Sequence, residues 1–213
     1  MTVYIEKPAF NLREELASLR NQGGYQEQQF YFDNLVTNGT FDADTDWTLN
    51  GTAEISSGTA NNLAADDYIA QGFNTEVGKT YLLSFDFVSG NTGSSLLRIG
   101  TSLNSFSIFS GGASSNTSKA FTATSTTTWV TFYQANFTAE YDNVSVFEVD
   151  ANDDVIYAMP KGWKPKDVFE DGLLQREGAA YDYEVVYDGF DYVVKPTVAP
   201  SITTQTCVIG VKA

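Results

Sequence analysis

The chemistry open to this chain is bounded first by what it lacks. Its 213 residues contain no histidine and one cysteine, Cys207. Imidazole acid–base catalysis, Ser/His/Asp and Cys/His nucleophile systems, His or Cys zinc sites and an internal disulfide are all excluded. Carboxylates remain, and they offer either a paired acid and base for glycoside cleavage or oxygen ligands for a hard cation such as calcium. Glycoside cleavage needs two carboxyls about 5 to 9 Å apart in a cleft. The acidic residues here, Asp66-Asp67, Asp153-Asp154, Asp171 and Asp188 among them, fall in turn-like sequence with no pair standing out, so no enzymatic activity is expected.

Aromatic side chains are the second resource. In TWVTFYQ (128–134), Trp129, Thr131 and Tyr133 project to one side of a strand and Val130 and Phe132 to the other. One set must be core. If Trp129 and Tyr133 face solvent, their rings form a platform on which sugar rings stack; if they face inward, they are packing residues of a sheet interior. Trp47 and Trp163 read as packing residues closing the ends of their domains, and Cys207, inside TCVIGV, as a buried small hydrophobe.

The elements that must position these residues differ along the chain. Asn11 followed by Glu14 makes a plausible helix start, and Leu12, Leu16 and Leu19 form one apolar stripe before Gly23-Gly24 ends it. A helix of about 11 residues is marginal alone in water, so it must dock, either on its own domain or on a neighbouring subunit. The polar segment NQGGYQEQQ then reads as a linker, giving an anchoring unit over 1–33. From 34 to 150, Thr, Ser, Gly and Asn punctuate strand-length runs such as YLLSFDFV (81–88), SLLRIG (95–100) and DNVSVFEV (142–149). That spacing suits a sandwich or jelly roll, with Leu83, Phe85 and Phe87 on one face of the first run. Residues 151–213 read as a second, smaller β domain with tight turns at Asp171-Gly172 and Asp188-Gly189. So small a unit, without a disulfide or metal, needs contact with a neighbour. The fold class is therefore all-β: a jelly-roll sandwich with a short N-terminal helix and a small C-terminal β domain.

Charge narrows the partners. With 12 Lys+Arg against 27 Asp+Glu the net charge is −15, which excludes nucleic-acid binding by phosphate neutralisation. No run approaches the roughly 18 to 20 apolar residues of a membrane helix. The opening MTVYIEKPAFNLREEL lacks the basic-then-apolar order of a secretory signal, so a soluble chain made without ordinary export is expected.

Three segments, NLVTNGTFDADTDWTL (34–49), GKTYLLSFDFVSG (78–90) and TTTWVTFYQANFTAEYDNVSVFEV (126–149), together resemble carbohydrate-binding-module β-sandwiches of the family 4/9 type. The resemblance implies a structural calcium where the first loop meets the last strand, at Asp42 and Asp142; the glycan contact at Trp129 and Tyr133 rests on the strand alternation alone. A second resemblance lies in the tail, where DVFEDGLLQ, YDYEVVYDGFDY and TVAP are similar to a small β-unit of tailed-phage virion proteins. The opening NLREELASL resembles the attachment end of phage appendages. Together these imply a non-enzymatic virion component, assembled in the host cytoplasm, that decorates or cements the capsid or forms a short fibre or adaptor on the tail. Leu12, Leu16 and Leu19 would bind other virion proteins or bundle the chain as a homo-oligomer, threefold in a fibre. The competing reading is a carbohydrate-binding module that recognises host-surface glycans.

Overall fold

The computed structural model describes residues 27–212 apart from 63, 151, 153, 179, 188–190 and 202–203. The stripe Leu12, Leu16 and Leu19 and the Asp188-Gly189 turn lie outside the described residues. In chain order the strands are β1 (Glu27–Phe32), β2 (Thr48–Asn50), β3 (Glu54–Ser56), β4 (Thr59–Asn62), β5 (Tyr68–Asn74) and β6 (Thr80–Gly90). They continue with β7 (Ser95–Gly100), β8 (Phe109–Gly112), β9 (Ser118–Thr122), β10 (Thr127–Gln134) and β11 (Ala139–Val149). The last are β12 (Tyr157–Ala158), β13 (Trp163–Glu170), β14 (Leu173–Leu174), β15 (Tyr183–Tyr187), β16 (Tyr192–Pro196) and β17 (Thr206–Lys212). The fold is all-β.

Two five-stranded sheets form the sandwich: a front sheet ordered β2-β5-β10-β7-β8 and a back sheet ordered β3-β4-β11-β6-β9. Alternation in the sequence decides what lies between them. On β6, Tyr81, Leu83 and Phe85 point inward; on β10, Val130 and Phe132 do, both fully buried. Phe132 from the front sheet stacks on Tyr141 of the back sheet at 4.5 Å between centroids and meets Phe85 edge-on at 4.8 Å. Burial pushes the Tyr141 hydroxyl up to about 12.

The segment ahead of β2 is stapled to β11 by one side chain. Asn34 accepts hydrogen bonds from the Val36 and Val146 N–H groups through Oδ1 and donates from Nδ2 to the Val144 carbonyl. Gly39 lies so close to that carbonyl that a Cβ would sit 2.0 Å from it. Phe41 then turns inward at φ 52°, 5.0 Å from Trp47, whose indole N–H donates to the Asn38 carbonyl. The NLVTNGTFD signature is thus a packing device for the sandwich edge.

A second core sits behind the back sheet. Phe147 and Val149 of β11 pack there with Tyr157, Met159, Val168, Val194 and Val208, and Leu82, opposite Phe147 in register, joins them. Around this core lie a four-stranded sheet, β1-β17-β13-β14, and a three-stranded sheet, β12-β16-β15. The small C-terminal unit thus meets its need for a neighbour within the chain. Asp171 (φ 48°) and Gly172 (φ 80°) make the tight turn between β13 and β14.

Two expectations change. Residues 27–32, read as linker, form strand β1, which pairs antiparallel with β17 and belongs to the C-terminal sheet. Cys207 is half-buried rather than buried, because Thr206 and Val208 take the inward positions of β17.

Candidate functional site

Cross-strand partners share a face, so the register of the front sheet maps its outward surface. Trp129 lies between Gly72 of β5 and Gly100 of β7. The next rung runs Thr48, Ala70, Thr131, Arg98, Ser110 from β2 to β8. The third runs Asn50, Tyr68, Tyr133, Leu96, Gly112. Both expected sugar-contact residues, Trp129 and Tyr133, are therefore on the outward face, half-exposed, while Val130 and Phe132 supply the core. Four residues apart on one strand, they stand about 13 Å apart along the sheet.

Glycine decides how the tryptophan lies. A Cβ on Gly72 would fall 2.7 Å from Trp129 Cε2, so the indole rests across the space that side chain would fill. The ring is laid flat against the sheet rather than standing off it. Beneath and beside it, Ala70 and Thr131 are completely covered.

At the other end of the face the groups are polar and charged. The Arg98 guanidinium carbon lies 3.5 Å from the Tyr133 ring centroid and 5.6 Å from that of the exposed Phe106. Its Nη1 donates to Asn104 Oδ1 at 2.7 Å. The Tyr133 hydroxyl donates to the Asp66 carboxylate, and that hydrogen bond, reinforced by partial burial, raises the tyrosine pKa against the pull of Arg98. Asp66 sits at φ 65° and donates its N–H to the Gln134 carbonyl, while Asn50 Nδ2 donates to the Asp66 carbonyl. Its neighbour Asp67 is buried and accepts from the N–H groups of Thr52 and Ala64 and from the Thr52 hydroxyl. Asp67 therefore fixes the loop on which Asp66 is presented. A flat indole, a tyrosine, a guanidinium and carboxamide groups on one surface can stack on the C–H face of a sugar ring and hydrogen-bond its hydroxyls.

Arg98, Asp66, Tyr68 and Asn104 were not singled out by sequence reasoning. Arg98 did carry a signal, as the lone charge at the outward phase of SLLRIG; Asp66 read only as half of a turn.

The other expected ligands are less gathered. Asp142 is held above the usual carboxylate range by burial, partly opposed by the hydrogen bond from the Asn143 N–H and reinforced by Asp86, Asp42 and Glu140. Asp42 accepts from the Thr40 hydroxyl at 2.6 Å. Asp42 and Asp142 are thus within electrostatic reach of each other. Yet among the described residues no three acidic, histidine or cysteine side chains are grouped to hold a metal. Two carboxylates, Glu76 and Glu148, line a cleft between the sandwich and the C-terminal unit. Both contact Lys79 Nζ at 3.2 Å, so an ammonium group bridges them. Burial pushes the Glu148 carboxyl up, against the pull of Lys79.

No protein family matches the chain, and no curated protein does. Among solved structures it is similar to one described as "CBM4 structure and function", at 12% identity and a TM-score of 0.32 over 56% of this chain and 86% of that one. It is also similar to a Paenibacillus sp. cycloisomaltooligosaccharide glucanotransferase complexed with cycloisomaltoheptaose, at 10% identity and a TM-score of 0.30 over 93% of this chain. It spans 50% of the glucanotransferase's length. These overlaps are too loose to assign a role, and neither lends support to a virion component, whose attaching leucines lie outside the described residues.

Proposed function

We propose that this chain binds carbohydrate on the outward face of its front sheet. One observation carries the reading: β10 turns Trp129 and Tyr133 out and Val130 and Phe132 in, although both sets are bulky enough to have served as core. Gly72 on the flanking strand β5 leaves the room in which the Trp129 indole lies. Polar groups from Arg98, Asp66 and Asn104 converge at one end, which matches the make-up of a ligand surface: a mostly apolar platform with a few placed hydrogen-bonding groups.

The test is affinity electrophoresis of the full chain in gels carrying soluble polysaccharides, followed by titration calorimetry on those that retard it. Each ring contact is worth about 0.5–1.5 kcal/mol. A Trp129→Ala/Tyr133→Ala double variant should therefore lose roughly tenfold or more in affinity. A panel that never retards the parent, or a folded double variant that binds like the parent, overturns the reading.

A further inference from the structure

Among the described residues Arg98 has no counter-ion within ion-pair distance. The chain carries 27 acidic residues against 12 basic ones, and Lys79, Lys166, Arg176 and Lys195 each form ion pairs among the described residues. Arg98 forms none, although it is half-buried on the front sheet. Its partners are the Tyr133 and Phe106 rings, the carboxamide oxygen of Asn104 and the Tyr133 hydroxyl. Its Nε is fully buried with no acceptor, and so is the hydroxyl of Thr131, directly opposite it in register. The buried Nε is out of a ligand's reach, but a partly desolvated cation held by ring faces and neutral acceptors keeps unspent hydrogen-bonding capacity at its terminal nitrogens. A guanidinium satisfies that capacity best with a carboxylate, which matches its planar fork.

Resting on the carbohydrate-binding reading, we infer that the glycan carries a carboxylate, as a uronic acid unit does, and that Arg98 is the residue that selects it. The sugar ring lies on the outward aromatic face and its carboxylate meets the free edge of the Arg98 guanidinium. Tyr133 keeps the guanidinium in place from below, and Asn104 fixes the edge turned away from the ligand. Asp66 is the acidic group facing this end of the site, and its carboxylate is already engaged by the Tyr133 hydroxyl. The overall charge of −15 opposes approach of a polyanion. At physiological salt, however, exposed charges more than about 8 Å away are largely screened, so the contact charge decides.

The experiment is calorimetric titration of the full chain with oligogalacturonate and with the same oligosaccharide after carboxyl reduction, which turns each carboxylate into a primary alcohol. The reduced sugar is expected to bind about tenfold more weakly, the worth of one charge-assisted contact. In Arg98→Gln the ratio of the two Kd values should fall to about one, and Arg98→Lys, which keeps the charge but loses the fork, should lie between. Circular dichroism checks that both variants fold. Equal binding of the two sugars by the parent, or an Arg98→Gln variant that preserves the ratio, overturns the inference. Binding confined to neutral glycans overturns it and leaves the proposed function standing; no binding to any glycan overturns both.

Discussion

Replacing Gly72 by alanine separates an indole that serves as a platform from one that merely covers the sheet. The new Cβ would fall 2.7, 2.9 and 3.0 Å from Trp129 Cε2, Cζ2 and Cδ2, where ordinary contact begins near 3.4 Å. The ring must give way by about 0.7 Å, and on an open face it can, by tilting. Gly72 lies within strand β5, where alanine is favoured over glycine by about 0.5–1 kcal/mol, and this offsets part of the crowding. Thermal stability should therefore change by no more than about 1 kcal/mol. Affinity should not be spared: tilting the platform forfeits part or all of a contact worth about 0.5–1.5 kcal/mol, raising Kd about two- to tenfold. Calorimetry on the glycan that binds the parent reads the effect, and tryptophan fluorescence reads the displaced ring. Gly100 supplies the contrast, since its Cβ would meet the Ser105 backbone at 2.5 Å and backbone cannot swing aside. Gly100→Ala should lower Tm outright. Gly72→Ala binding with the parent's Kd while the fluorescence shifts would refute the argument that the flat indole holds the sugar.

Phe132→Ala removes a fully buried ring packed against Trp47, Phe85 and Tyr141 and should cost about 3–5 kcal/mol, read as a lower denaturant midpoint. Asp66→Asn exchanges the charged acceptor that raises Tyr133 for a neutral amide oxygen, so the tyrosine should titrate at lower pH, followed by phenolate absorbance with Tyr133→Phe as the assignment control. Lys195→Met unties Lys195 from Asp150 and Asp154, at 2.7 and 3.2 Å, and should cost up to about 1 kcal/mol. Burial works against Asp150, but hydrogen bonds from Lys195 and from the N–H groups of Asn152 and Asp154 outweigh it and hold its pKa low. The stability that pair contributes is present above the ordinary carboxylate pKa and is lost as pH falls through the depressed one. The Tm gap between parent and Lys195→Met should therefore begin to shrink as pH falls below about 4 and close once it has passed the depressed pKa, and a gap that is constant across that fall would remove the pair from the account.

What the sequence makes legible is what is periodic and local. YLLSFDFV shows its inward face because polar Ser84 and Asp86 alternate with Leu83, Phe85 and Phe87, and the turn at Asp171-Gly172 is written in two adjacent residues. TWVTFYQ does not, because Trp129 and Tyr133 are as fit for a core as Val130 and Phe132. Orientation there is decided by what the neighbouring strands bring: Gly72 makes room for the indole on the outward side, and Phe85 and Tyr141 fill the inward one. Those partners lie tens of residues away, and register is a non-local property. The same holds for β1, whose partner β17 begins at Thr206. Arg98, Tyr133 and Asp66 come from two strands and a loop, so their convergence has no local spacing to betray it.

The chain's own architecture also favours the front sheet over the back as the proposed ligand face. A sandwich has two outward surfaces, and here they are unequal. Behind the back sheet, Leu82, Phe147 and Val149 are buried under the C-terminal unit, and beyond them the surface carries Asp86, Glu140 and Asp142. Burial raises the Asp142 pKa and the neighbouring carboxylates add to it, so any further negative group there is disfavoured. Among the described residues the front sheet bears no second unit, and it presents Trp129, Tyr133 and the guanidinium of Arg98. A ligand that needs stacking finds the Trp129 platform on the front, and one that also carries a negative charge is repelled from the back. Moving Arg98's charge to the back sheet, by Asp142→Arg in an Arg98→Gln background, should relieve the repulsion and raise Tm without restoring uronate binding, because the aromatic platform stays behind on the other face.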